Sequence, residues 1–140
     1  PPPDRVVLLH DAIYRQHPDV GAIITAAPPE ATAFALTDAH LDSRIIPESY
    51  VFLRDVVRIS GPRKEEQVRL AALVGPDRPA AVVENEGALV VGTSILHAFD
   101  RLEVLNATAA AVLGSRCVGE VMPLSDAAME ALRGFPPPGE

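Results

Sequence analysis

Tryptophan is absent and aromatic residues make up only 4% of the 140 residues, so any core has to be built mainly from Ala, Val, Leu and Ile. With Cys117 as the single cysteine, no internal disulfide can form, and no Cys/His cluster has zinc spacing. Basic residues are also scarce: 12 Lys and Arg against 19 Asp and Glu leave a net charge of -7. Phosphate recognition needs clustered cations, and the densest basic stretch, Arg63-Lys64, is offset at once by Glu65-Glu66. No apolar run approaches the roughly 20 residues that span a bilayer, and no charged-then-apolar leader is present. These absences predict a soluble, cytoplasmic protein with no nucleic-acid or membrane partner. The chain opens on Pro1-Pro2-Pro3 without an initiator Met, as expected of a processed form or a piece of something longer.

What is present is an apolar content of 48% with a mean hydropathy of +0.17, which suits a buried sheet covered by helices. The length fits one domain over residues 1–140, with 1–3 and 134–140 as flexible tails. Val6, Leu9, Ile13 and Tyr14 share a helical face between Asp4, the expected N-cap, and Pro18. Val20 to Ile24 reads as a strand buried on both faces, and Pro28-Pro29 opens a helix from Glu30 to Leu36. Residues 37–50 read as loop with an extended piece around Arg44 to Pro47, and Tyr50 to Ile59 as partly strand. An amphipathic helix is expected from Arg63 to Val74. Ala80–Glu84 and Ala88–Val91 flank the turn Asn85-Glu86-Gly87, a hairpin pattern. Thr93 or Ser94 then caps a long helix to about Leu113, with Ile95, Phe99, Leu102, Leu105, Ala109 and Val112 on one stripe. A short helix from Ser125 to Arg133 ends at Gly134. Strands mixed with helices define a layered α/β domain whose sheet is at least partly antiparallel.

The passage Leu9-His10-Asp11-Ala12-Ile13-Tyr14-Arg15-Gln16-His17-Pro18-Asp19-Val20-Gly21-Ala22-Ile23-Ile24 resembles the class II aldolase/adducin family. Ala31-Thr32-Ala33 after the Pro pair, Asn85-x-Gly87 before a short strand and Gly92, and Ala98-Phe99 with Leu102-Glu103 extend the resemblance over residues 5–113. It implies a three-layer α/β/α sandwich with a mixed, largely antiparallel central sheet, usually assembled as a homotetramer. It also implies a zinc-type metal on three histidines, with a carboxylate moving the proton during cleavage or epimerisation of sugar phosphates. Adducins keep the fold without that chemistry.

Residue by residue, the family's His-x-His pair falls on Thr25 and Ala27, and the third histidine on Glu86. The catalytic acid falls on Val6, and the two hydroxyl residues that help to hold the phosphate fall on Asp4 and Arg5. A Gly-Asn segment of the phosphate pocket would lie before residue 1. A catalytic metal needs about three protein ligands, so the resemblance carried onto these residues implies no catalytic residue and no metal cofactor. The expected function is that of an oligomeric binding or interaction protein.

The alternative is a lyase-like enzyme on a sugar phosphate or small carbonyl compound with a rebuilt or metal-free site. His10, Thr25, Glu48, Glu84, Asn85 and Glu86 would then form a residual pocket, with a divalent metal held through Glu86. Each has a plainer reading: a half-buried helix histidine, a strand-end hydroxyl, and carboxylates in a loop or turn paired with Arg44, Arg54 or solvent. Arg44, Glu48 and Tyr50 equally suit contact with a neighbouring subunit or an anion, or a surface loop pinned by Pro47 and Tyr50. A third reading is a chain whose missing N-terminal part is supplied by another subunit, which would leave an apolar sheet edge exposed.

Overall fold

In the computed structural model, which describes residues 4–60 and 66–136, a four-stranded sheet lies between two helical layers. Helix α1 (Arg5–Gln16) starts where Asp4 Oδ1 accepts the Val6 amide at 3.2 Å. Strand β1 (Ala22–Ala26), α2 (Pro29–Ala35), α3 (Pro47–Leu53), β2 (Val57–Ile59) and α4 (Gln67–Ala71) follow. The hairpin β3 (Ala80–Val83) and β4 (Gly87–Gly92), the long α5 (Ile95–Ser115) and α6 (Asp126–Arg133) complete the chain. The strand order is β1-β4-β3-β2, with β1/β4 and β4/β3 antiparallel and β3/β2 parallel. Among the described residues no helix is long and apolar enough to cross a membrane.

Strand alternation divides the core in two. Ala80, Val82, Ala88 and Val90 face α2, α3 and α5, packing with Phe34, Leu53, Ala98, Leu105 and Ala109. Ala81, Val83, Leu89 and Val91 face the other way, onto Leu9 and Ile13 of α1 and Leu70 of α4. Small residues set the spacing: a Cβ at Gly92 would lie 2.5 Å from the Ala98 amide nitrogen, so α5 rests directly on β4.

Several expectations are corrected. The loop predicted through residue 50 and the strand from Tyr50 give way to α3, started by Pro47 at its first turn; only Val57–Ile59 is strand. Apolar residues at Val51 and Leu53 fit either period, and packing against α5 decides for helix. Strand β1 begins two residues later than expected and is half-buried rather than covered on both faces, because it is an edge strand. The helix expected from Arg63 lies in part outside the described residues, and its described portion ends at Ala71, before Val74. On α5, Ile95 and Phe99 are exposed, and the buried face runs instead through Ala98, Arg101, Leu105, Thr108, Ala109 and Val112. At the chain's end, Gly134 closes α6 and the Phe135 carbonyl accepts from Arg54 Nη2 at 2.7 Å, so the segment expected to be a tail from 134 begins with anchored residues.

One turn fixes the hairpin. Gly87 has φ +147, and a Cβ there would lie 2.4 Å from the Ala26 carbonyl oxygen and 2.9 Å from Ala27 Cα. Gly87→Ala is therefore expected to lower stability by about 2 kcal/mol or more, read as a shift in the urea midpoint. A loss below about 0.5 kcal/mol would mean that the turn does not need this approach.

Candidate functional site

The ends of three elements meet at one corner of the sheet: the start of α1, the end of β1 and the β3–β4 turn. Thr25 lies on the α1-facing side of β1, and its Oγ1 is 2.7 Å from His10 Nε2. Two turns of helix separate His10 from Asp4, so the capped start of α1 carries Arg5 to the hairpin turn, where its Nη2 donates to Glu86 Oε1 at 3.3 Å. The close approach of Gly87 to Ala26 and Ala27 keeps that turn beside the strand end. Val6, next to Arg5, is half-buried and Ala27 is exposed.

The corner thus unites His10, Thr25, Ala27 and Glu86 but not the whole expected pocket. Glu84 turns to the opposite side of the sheet, where it accepts from Arg58 Nε at 2.8 Å, not from Arg44 or Arg54 as expected. Arg58 also donates to the carbonyls of Phe34 at 3.1 Å and of Thr37, closing the C-terminal end of α2. Asn85 has φ 60 and donates its amide to the Ala35 carbonyl at 2.9 Å, which makes it a turn residue on that same side. Glu48 is exposed in the first turn of α3, a helix that packs on α5 and α6.

The structure adds residues that the sequence did not single out. Arg58 has no sequence signal beyond being a charge inside a strand pattern, and Arg5, noted only as a family phosphate position, had no signal for its pairing beyond a sign opposite to Glu86. Arg101, 2% exposed, donates to the Val91 carbonyl at 2.8 Å and the Phe52 carbonyl at 3.0 Å, tying α5 to β4 and α3. Its position on the buried stripe of α5, four residues before Leu105, was the available clue.

A zinc-type metal needs about three imidazole, thiolate or carboxylate donors converging on one point. Among the described residues no group of three His, Cys, Asp or Glu side chains does so. At the corner the only candidate donors at these positions are a hydroxyl already bonded to His10 and a carboxylate already paired with Arg5, since Ala27 offers a methyl group that cannot ligate. This donor set does not fit the family's metal.

Fold and corner together define an α/β/α sheet domain whose polar residues gather at the open end of an edge strand and its neighbouring hairpin. The profile of the Class II Aldolase and Adducin N-terminal domain matches residues 1–113, and the chain belongs to that family. Among solved structures it is similar to YgbL of Escherichia coli, a putative aldolase/epimerase/decarboxylase, at 28% identity and a TM-score of 0.76, covering 94% of this chain and 66% of that one. An aldolase II superfamily protein from Pseudomonas syringae shares the fold at 19% identity and a TM-score of 0.79, over 96% of this chain and 56% of that one. L-fuculose 1-phosphate aldolase from Glaciozyma antarctica PI12 does so at 22% identity and 0.76, over 94% and 51%. The chain thus spans less than two thirds of the length of these structures. No curated protein matches it.

Burial holds the His10 imidazolium below the ordinary histidine value of 6.5. The unfolded chain then binds the proton more readily, so this contribution is complete above pH 6.5 and is lost as pH falls from there through the folded-state value. Urea titrations of the protein and of His10→Gln should converge in stability as pH is lowered from 7.5 to 5.5. A constant difference between them across that range would contradict the assignment.

Proposed function

We propose that this aldolase-fold chain has given up metal-dependent aldol cleavage and serves as an oligomeric binding or interaction protein. The observation that carries the reading is the double internal pairing at the corner, Glu86 to Arg5 and Thr25 to His10. In this reading Thr25, Ala27 and Glu86 stand at the family's metal-ligand positions and Val6 at that of its catalytic acid. The groups that would stabilise an enediolate as a Lewis acid are then missing together with the proton carrier. Loss of a general base alone costs about 10² to 10⁴-fold in rate. A small domain that spends its polar corner on its own side chains keeps the fold's surfaces and not its chemistry.

Assembly has support of a different kind. Ile95, Leu96 and Phe99 at the start of α5 are 65%, 67% and 47% exposed, an apolar cluster of the sort that subunit contacts cover. A lyase-like alternative draws on one feature, the His10–Thr25 pair at 2.7 Å, which has the spacing of a base and a hydroxyl.

Incubation with L-fuculose 1-phosphate, the substrate in the name of one structural relative, together with Zn²⁺ separates the two readings. No cleavage above a protein-free control is expected, and sedimentation velocity should give a species larger than the 14.9 kDa monomer. Chelator-sensitive cleavage abolished by Glu86→Ala would overturn the loss of catalysis. Cleavage that survives chelator and is abolished by Thr25→Val would favour the lyase reading, and a monomer would overturn the assembly.

A further inference from the structure

Helix α6 lies past residue 113, where the family match ends, and it is fastened to the body by few apolar contacts. Its one buried side chain is Met129, whereas α5 buries seven. The rest of the attachment is polar: Arg133 of α6 hydrogen-bonds to Tyr50 of α3, and Arg54 supplies the other bonds to the end of α6. Arg54 Nη1 donates to the Leu132 carbonyl at 3.3 Å and Nη2 to the Phe135 carbonyl at 2.7 Å, so one guanidinium reaches one carbonyl in the last turn of α6 and one just past its end. The same guanidinium lies 5.4 Å from the centre of the Tyr50 ring. At the other end of the segment, the Leu124 amide donates to the Arg44 carbonyl at 2.8 Å.

Arg54 is also strained. Its backbone sits at φ 53 and ψ -151, a region that side-chain-bearing residues rarely occupy. The surroundings hold it there: its amide donates to the Tyr50 carbonyl at 2.9 Å, and its carbonyl accepts from the Ser43 hydroxyl. The backbone of Arg54 is thus fixed by the body of the domain, while its side chain holds a second element.

The connection from α5 is equally informative. Residues 116–125 form neither helix nor strand, and Val118 and Met122 within them are 91% and 85% exposed. No apolar packing of these two side chains ties the segment down. Between α6 and the 42–44 loop is a cleft of about 530 Å³ lined by Asp42, Arg44, Glu130 and Arg133.

We propose that residues 116–136 form a strap latched by Arg54, which releases from α3 as a unit while the sheet stays folded. The strap is not a frayed end: Ser125 Oγ caps α6 by accepting the Ala128 amide at 3.2 Å, and the helix is seated through Met129. Release would open the charged cleft and bare the Tyr50 ring of α3, now 5% exposed, together with the surface that Met129 covers. The device is a conformational switch on the face of the domain away from the His10–Thr25 corner, and it stands or falls independently of what that corner does.

Native-state hydrogen exchange on the whole chain tests it. The amides of α6 should exchange together, at least about 100-fold faster than those of β4 and the middle of α5. Arg54→Ala should speed α6 exchange by a further ~10-fold or more and leave β4 unchanged. Arg54→Gly keeps the backbone conformation accessible and removes the guanidinium, so it should release α6 as Arg54→Ala does while protecting the sheet at least as well. Exchange of α6 in one step with β4 in the unmutated protein would overturn the strap. Unchanged α6 exchange in both variants would overturn the latch.

Discussion

Strands β3 and β4 bury every side chain they carry, and strands so placed must satisfy their backbone inside the sheet and their side chains on both faces. Unbroken runs of Gly, Ala, Val and Leu solve both demands at once, because every residue is apolar whichever face it meets. Gly92 lets α5 rest on β4 beside Ala80, Val82, Ala88 and Val90, and Ala81, Val83, Leu89 and Val91 fill the space beneath α1 and α4. Because β4 pairs with β1 on one side and β3 on the other, the hairpin turn has one place to go, against Ala26 and Ala27. The polar corner is a product of that constraint and does not hold the fold up.

The turn also explains why two carboxylates two residues apart in the hairpin part company. Glu84 follows the parity of Val82 and turns to Arg58 and the end of α2. Glu86, beyond the turn, meets Arg5 at the start of α1. Sequence proximity had grouped them in one pocket; residues two apart on a strand share a face, and it is the turn between them, with Asn85 at φ 60, that sends them to opposite sides. An exposed pair such as Arg5 with Glu86, whose side chains are 63% and 28% exposed, contributes little to stability. Its consequence is chemical, since it occupies the carboxylate.

Much of this was legible beforehand. The apolar spacing of Leu9 and Ile13, the Asn85-Glu86-Gly87 turn and the Ser94 cap carry their structure locally, and the elements they mark fall within about two residues of expectation. The resemblance in Leu9 to Ile24 correctly implied the layered fold. What failed depends on distant partners. Helix α3 forms because Leu53 packs into the core shared with α5 and Ser49 bonds to Thr108, and Ile95 stays exposed because the buried face of α5 is set by β4 and α3. Of the expected pocket, His10 with Thr25 could be anticipated from helix-to-strand adjacency. The role of Arg58 could not, because its acceptors come from four residues spread along the chain.

The central claim is that this corner binds its own side chains in place of a metal, and metal content tests it most directly. Elemental analysis of the purified protein, before and after dialysis against a chelator, should find no stoichiometric Zn, Mn or Fe, and the chelator should leave its unfolding midpoint unchanged. A stoichiometric metal that the chelator removes, and that Glu86→Ala fails to bind, would contradict the account.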